Sequence, residues 1–220
     1  MEFTLEKRIT AGIHLGHPIR YWNPKIARYT YGIRNGIRLI NLVKTHQQFK
    51  EAKKFLRRIK RHEKSILLIG TKDQAVKAIK ENAKTSQSFF VRERWLGGTL
   101  TNWSTVQTSL LQLHCLEREK KKNAWAIFSK KDTVLFRKRL EKLERYFGGL
   151  KGIQTIPGIV IIIGQVVELV SIQECYKLEI PIICRLDTDC DPNLVEFGIP
   201  INDDSKIRIQ LFFEILLTKI

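Results

Sequence analysis

The chain is poor in most of the features that announce chemistry. Its 220 residues hold four cysteines, Cys115, Cys175, Cys184 and Cys190, with no C-x-x-C pair, so zinc-ribbon spacing is absent. A disulfide framework does not suit a chain this large and this basic, and a reducing compartment is the default expectation. No run of about 18 apolar residues occurs, and IVIIIG at 159–164 has the length of a buried strand rather than a membrane span. The opening MEFTLEKRIT lacks an apolar signal core, and it lacks the Arg- and Ser-rich, acid-poor character of an imported organellar leader. A protein of this kind working in an organelle is expected to be made there. Alanine is scarce while isoleucine and lysine abound, a composition that suits an AT-rich organellar genome.

Catalytic signatures are missing as well. Ile69-Gly70-Thr71-Lys72 follows an apolar run, but the extra glycine-spaced amides and the closing Lys-Ser/Thr pair of a phosphate loop are not there. A single anion at the following helix N-terminus is all that segment supports. No Gly-x-Gly-x-x-Gly follows a strand, and no Gly-x-Ser-x-Gly elbow or ordered Ser, His and Asp set supports a hydrolase. Asp187, Asp189 and Asp191 imitate the start of a calcium loop, yet Pro192 stands where glycine is needed and Gly198 where a bidentate glutamate is needed. A magnesium ion held by some of Asp187, Asp191, Asp203 and Asp204 stays open beside the plainer reading of turn formation and capping. His14 and His17 flank Gly16 with no third ligand nearby, so no metal site is assigned. No cofactor is expected, and nothing argues for an enzyme.

What is present is positive charge, and it is unevenly placed. The net charge is +17. Residues 1–150 hold 33 Lys and Arg against 12 Asp and Glu, a net of +21, whereas residues 151–220 hold 6 against 10, a net of −4. A basic excess confined to one part of a chain is the footprint of a polyanionic partner.

The apolar pattern predicts an α/β fold. SILLIGTK at 65–72, SFFVRER at 88–94, IVIIIG at 159–164, IPIICRLDT at 180–188 and GIPIN at 198–202 read as five strands. Between them, a helix from Asp73, with that residue as its cap, runs to about Lys84, and another spans 167–178. A closing helix covers Ser205–Leu217. Strands alternating with single helices imply a parallel sheet covered on both faces, a three-layer α/β/α domain of about five strands made of residues 1–103 and 148–220. Residues 104–147 break the alternation. Leu110, Leu113 and Leu116, then KKKNAWAIFSKKD, then Phe136, Leu140, Leu143 and Phe147 predict an inserted antiparallel helical hairpin.

Four blocks carry a specific resemblance. RWLGGTLTNW at 94–103 joins two glycines, two tryptophans and short polar side chains. AGIHLGHPIRYWNPKIARYTYGIRNGIRLINLVKT at 11–45, IGTKDQA at 69–75, and the segment 181–204 with DTDCDPN and IPINDD complete the set. Together they resemble the bacterial-type family of small-subunit ribosomal proteins S-two, and NWST at 102–105 looks most like its plastid and cyanobacterial branch. The resemblance implies a flavodoxin-like sheet with a helical hairpin. It implies a non-catalytic place on the small subunit, with rRNA and neighbouring ribosomal proteins as partners, a protein of the S-one family among them. It points to a plastid (chloroplast) ribosome, with a bacterial cytoplasm or a mitochondrion as alternatives. The chain departs from the family pattern at Gly164-Gln165-Val166-Val167, where an acidic residue usually follows the third strand. It departs also at Asn193, at Ser205 and in ending at Ile220.

Candidate RNA contacts follow from charge interleaved with flat rings. Arg20, Lys25, Arg28, Arg34 and Arg38 alternate with Tyr21, Trp22, Tyr29 and Tyr31, with Asn23 among them. Arginine neutralises phosphate, and aromatic faces stack on unpaired bases. KEAKKFLRRIKRHEK at 50–64 predicts a basic amphipathic helix that turns Phe55, Leu56 and Ile59 inward and Lys53, Arg57, Arg58, Lys60 and Arg61 outward. Arg92 and Arg94 precede Gly97 and Gly98, whose backbone admits a close approach. The competing class is a nucleotide-binding domain or enzyme that uses the carboxyl ends of the strands near Gly70, Asp187 and Asp203.

Overall fold

The computed structural model describes residue 12, residues 14–202 and residues 205–218. Asp203, Asp204 and the opening MEFTLEKRIT therefore lie outside the described residues. The first elements among the described residues form a small antiparallel sheet that the pattern of the sequence did not announce. Its strands are β1 (Leu15–Pro18), β2 (Thr30–Arg34) and β3 (Ile37–Ile40), in the order β1-β3-β2. Asn35 and Gly36 close the β2–β3 hairpin with φ of 49° and 74°. Two successive positive φ angles make the mirror-image turn whose twist matches paired strands, and Asn-Gly is the pair that tolerates it best. Asn41 then accepts hydrogen bonds from Val43 N and Lys44 N at 3.0 and 3.3 Å, capping α1 (Leu42–Arg61).

The main domain follows the predicted alternation: β4 (Ile66–Ile69), α2 (Asp73–Ser86), β5 (Phe89–Val91), α3 (Trp103–Lys121), α4 (Lys130–Phe147), β6 (Ile159–Ile163), α5 (Leu169–Lys177), β7 (Ile182–Leu186), β8 (Phe197–Pro200) and α6 (Lys206–Leu217). Five strands form one parallel sheet in the order β5-β4-β6-β7-β8. Chain order reverses between β4 and β6, so the crevice where doubly wound folds hold ligands lies at the carboxyl ends of those two strands. Asp73 is the first helical residue rather than the cap. Lys72 holds the cap position, with no side-chain hydrogen bond to the helix amides.

The period-two alternation of β6 divides the core. Ile159, Ile161 and Ile163 pack with Leu56, Ile79 and Phe212 on the face covered by α1, α2 and α6. Val160 and Ile162 pack with Ile172, Leu100, Val106 and Ile26 on the other face. Three layers result, as the apolar pattern requires. Helices α3 and α4 hold a core of their own, in which Leu113, Trp125 and Leu140 meet Leu116, Phe136 and Leu143. Lys151, in the segment after α4, reaches both helices, 2.5 Å from Glu117 of α3 and 3.4 Å from Glu144 of α4.

Candidate nucleic-acid interface

The crevice between β4 and β6 is filled by the chain itself. Glu168, in the turn before α5, lies almost wholly buried and accepts from Thr71 N at 3.0 Å and Thr71 Oγ1 at 2.6 Å. Burial pushes its carboxyl above the ordinary glutamate value, and the two bonds from Thr71 only partly oppose that. A nucleotide phosphate would need this same amide at the head of α2. Gly70 serves packing rather than phosphate, because a Cβ there would stand 2.5 Å from Ile79 Cδ1 and 3.3 Å from Ala75 Cβ. Helix α2 approaches the sheet that closely only over a glycine.

The Gly-Gly segment also encloses a carboxylate. Glu174 on α5 is 6% exposed and sits inside the loop 95–101. Its Oε1 accepts from Trp95 Nε1 at 2.9 Å and Gly98 N at 2.8 Å. Its Oε2 accepts from Leu100 N at 2.9 Å, Thr101 N at 3.1 Å and Thr101 Oγ1 at 3.3 Å. Burial raises its pKa, but these donors together outweigh burial and hold the carboxyl below the usual value. Gly98, at φ +86°, allows the turn that aims consecutive amides at one point. The Gly98 amide is engaged by Glu174. Gly97 is exposed, with no atom within 4 Å of an added Cβ. Neither glutamate was singled out from sequence. The signal was available in helix α5, where glutamates fall among the inward positions and Leu169, Val170 and Tyr176 among the outward ones.

The small sheet and its turns cover the loop that follows β7. His17 N donates to Thr188 Oγ1 and Asn23 N to Thr188 O, each at 2.9 Å. His17 Nδ1 lies 3.1 Å from the buried Asp187 Oδ1, and Lys25 Nζ lies 2.5 Å from Asp191 Oδ2. The Lys25 ammonium is the main reason the Asp191 carboxyl sits below its ordinary pKa. Gln165 fastens the same loop, accepting from Asp191 N at 2.6 Å and donating to Asp191 O at 2.7 Å. Among the described residues no group of three or more His, Cys, Asp or Glu side chains is placed to hold a metal ion.

These interactions sort the candidate RNA residues. Asn23 caps the turn that follows it, its Oδ1 accepting from Lys25 N at 3.0 Å. Trp22 packs against the core while the Arg38 guanidinium lies 3.8 Å from its ring centre. Asn23, Trp22, Lys25 and Arg38 thus each have a partner within the protein, while Lys25 stays exposed. Arg20 lies over Tyr21 at 4.7 Å and Arg28 over Tyr29 at 4.9 Å, with both arginines exposed. Arg34, Tyr21 and Tyr31 are exposed on the same small sheet and its flanking turn. On α1, Phe49, Ala52, Leu56 and Ile59 are buried and Phe55 half-buried, leaving Arg57, Arg58, Lys60 and Arg61 at the surface and Lys53 half-buried. Arg94 is exposed. Arg92 joins Lys80, Arg145 and Lys151 around a cavity of about 160 Å³ beside β5. The far end of the α3–α4 pair exposes Lys121, Lys122, Lys130 and Lys131 with Ile127 and Phe128.

The arrangement is a basic outer surface around a sheet whose ligand edge is plugged from within. Small ribosomal subunit protein uS2c of Oltmannsiellopsis viridis is 41% identical over 220 residues, spanning all of this chain and 92% of that protein. The protein of the same name from Cyanophora paradoxa is 44% identical over 208 residues, 94% of this chain and 89% of that one. Small ribosomal subunit protein uS2 of the cyanobacterium Trichormus variabilis is 41% identical over 208 residues, 94% of this chain and 78% of that one. The family described as ribosomal protein S2 matches residues 9–220, and the chain belongs to that family.

Proposed function

We infer that the chain is a structural constituent of the small ribosomal subunit of a plastid, binding folded rRNA and neighbouring ribosomal proteins in translation. One observation carries the reading beyond family membership. The ligand edge of the sheet is occupied by the chain's own Glu168 and N-terminal sheet, while the arginines of the small sheet's turns and of α1 face out. RNA is held chiefly by phosphate contacts from Arg34 on the small sheet, Arg20 and Arg28 in the turns between its strands, and Arg57, Arg58 and Arg61 on α1. Arg92 and Arg94 extend the contact, and shape rather than base sequence sets specificity. Tyr21 and Tyr31 are the rings left open for stacking on unpaired bases. The protein has no catalytic task of its own. The α3–α4 hairpin, residues 104–147, is an inserted unit whose lysine-rich end reaches away from the sheet toward a partner. The acidic last third, net −4, faces protein neighbours, and an S-one family protein belongs among them on the family resemblance.

The test is sedimentation of a plastid lysate through a high-salt gradient, with the chain quantified by mass spectrometry in each fraction. Near-equal stoichiometry with small subunits is expected. Recovery at the top of the gradient would refute an integral ribosomal role.

A further inference from the structure

Helix α5 buries polar side chains beside its core residues Ile172 and Cys175 and exposes aliphatic ones. Its inward positions include the polar Ser171 and Glu174, preceded by buried Glu168, each satisfied by hydrogen bonds. Its outward side carries Leu169 (41% exposed), Val170 (50%) and Tyr176 (77%), with Val166 (53%) in the turn before it. Within the helix, Leu169, Val170, Gln173, Tyr176 and Lys177 are the exposed positions and share one face, and Val166 and Val167 are exposed in the turn that leads into its apolar end. Isolated surface aliphatics need no explanation, but four neighbouring ones, Val166, Val167, Leu169 and Val170, with Tyr176 farther along the same helix face, have the composition of an interface centre. Inward packing does not call for these residues, because the sheet-facing side of α5 is complete without them.

Charge identifies the occupant. Lys177 is the lone cation of the helix, and exposed Glu179 and Glu196 stand at its carboxyl end, where Glu196 Oε2 accepts from Ile182 N at 2.7 Å. A phosphate backbone would meet acids there and would gain nothing from aliphatic side chains, which neither pair with phosphate nor stack on bases. A second copy of the chain would bring another +17 against this one. A protein with an apolar segment bordered by Lys or Arg matches both the exposed aliphatic groups and the acidic end. We propose that the outer face of α5, centred on Val166, Leu169 and Val170, is the docking surface for such a basic neighbour in the assembled small subunit. The inference rests on the ribosomal reading above.

The experiment places the photo-crosslinking residue p-benzoylphenylalanine at Val170 in the full chain. The chain is assembled into small subunits from rRNA and total small-subunit proteins, and the particles are irradiated. The expected product is one predominant crosslink to a ribosomal protein, mapping to an aliphatic peptide flanked by Lys or Arg. In a second arm, the Val166→Asp/Leu169→Asp variant should bind rRNA with unchanged affinity and salt dependence, while retention of that neighbour falls roughly tenfold, the effect of 1.4 kcal/mol. Val170→Ser, a milder change, should weaken retention in the same direction and so separates docking from any loss of folding. A crosslink to rRNA, a crosslink to a second copy, or none in particles that contain the chain overturns the proposal and leaves the ribosomal reading standing. Absence of the chain from the particles refutes the ribosomal reading itself, and the docking surface with it.

Discussion

Replacing Glu174 by Gln tests whether the Gly-Gly segment is folded around a carboxylate. The substitution keeps the volume and turns one acceptor oxygen into an NH2 donor. If the amide nitrogen takes the Oε1 position, Trp95 Nε1 and Gly98 N lose their acceptor; at the Oε2 position, Leu100 N and Thr101 N lose theirs. Two N–H donors are thus left facing a donor in either orientation. Hydrogen bonds to a charged group contribute about 1.5–3 kcal/mol each, and unburying a charge returns part of that sum. The net loss should be about 3 kcal/mol, and at about 2–4 °C per kcal/mol for a domain of this size Tm should fall by roughly 6–12 °C. Urea unfolding followed by far-ultraviolet circular dichroism measures it, with Glu81→Gln on the exposed side of α2 as the control, expected within about 0.5 kcal/mol of the parent. The acid limb gives a second readout. Glu174 is held below its unfolded pKa, so its contribution is present above the unfolded value and is lost as pH falls through the folded one. The variant should lack that portion of the acid sensitivity. A Glu174→Gln protein as stable as the Glu81→Gln control would refute the claim that this carboxylate organises the loop.

Glu168→Gln should behave differently, because both bonds from Thr71 reach a single oxygen, which the glutamine carbonyl can replace. Its carboxyl is raised by burial, so its contribution is full below the unfolded pKa and fades as pH rises through the folded value. The variant should gain stability relative to the parent across that window, and a loss of more than about 1 kcal/mol at neutral pH, measured by urea midpoint, would count against the assignment. Replacing Arg57, Arg58 and Arg61 together by Ala should weaken rRNA binding and reduce the slope of log K against log salt by about 0.7–0.9 for each phosphate no longer neutralised; an unchanged slope would place α1 against water. Nucleotides should leave the melting temperature unmoved, whereas a ligand at 100 times its Kd would add about 2.7 kcal/mol. In the folded protein one thiol of four should react promptly with an alkylating reagent. Cys115 is exposed, while burial pushes Cys175 up to about 12 and raises Cys190 further.

The five strands and the helices between them were legible because each apolar run is short, β-branched and followed by a helix-spaced segment, and no other layer structure hides both faces of IVIII. Strand order was not legible, since it depends on which crossover passes over which, and local pattern is silent about that. The three-stranded sheet escaped notice for a related reason. Its strands are four or five residues long, and only β3 ends in buried residues, so no alternation marks them. Charge showed where the surface is basic but not which cations have internal anions. Lys25 and Asp191 are 166 residues apart in sequence, and Gly98 and Glu174 are 76 apart. Pairings of that kind exist only once the sheet has brought its carboxyl edge together.

The same edge explains how an enzyme-like fold serves assembly. A doubly wound sheet presents the amide-rich heads of its helices at one end, and in ligand-binding proteins those amides wait for a phosphate or carboxylate from solution. Here two glutamates from the α5 segment supply the carboxylates: Glu168 satisfies the amide before α2 and Glu174 those of the Gly-Gly loop. Once these donors are filled from within, small anions have no reason to enter, and specificity passes to the outer surface. That surface is divided in character: exposed arginines mark the turns of the small sheet and α1, and exposed aliphatic side chains mark α5 and the turn before it. The polar share of the buried side of α5 is then the consequence of the plug, beside its core residues Ile172 and Cys175. A helix that turns its glutamates inward has its remaining face available for a partner, and Val166, Leu169 and Val170 occupy that face.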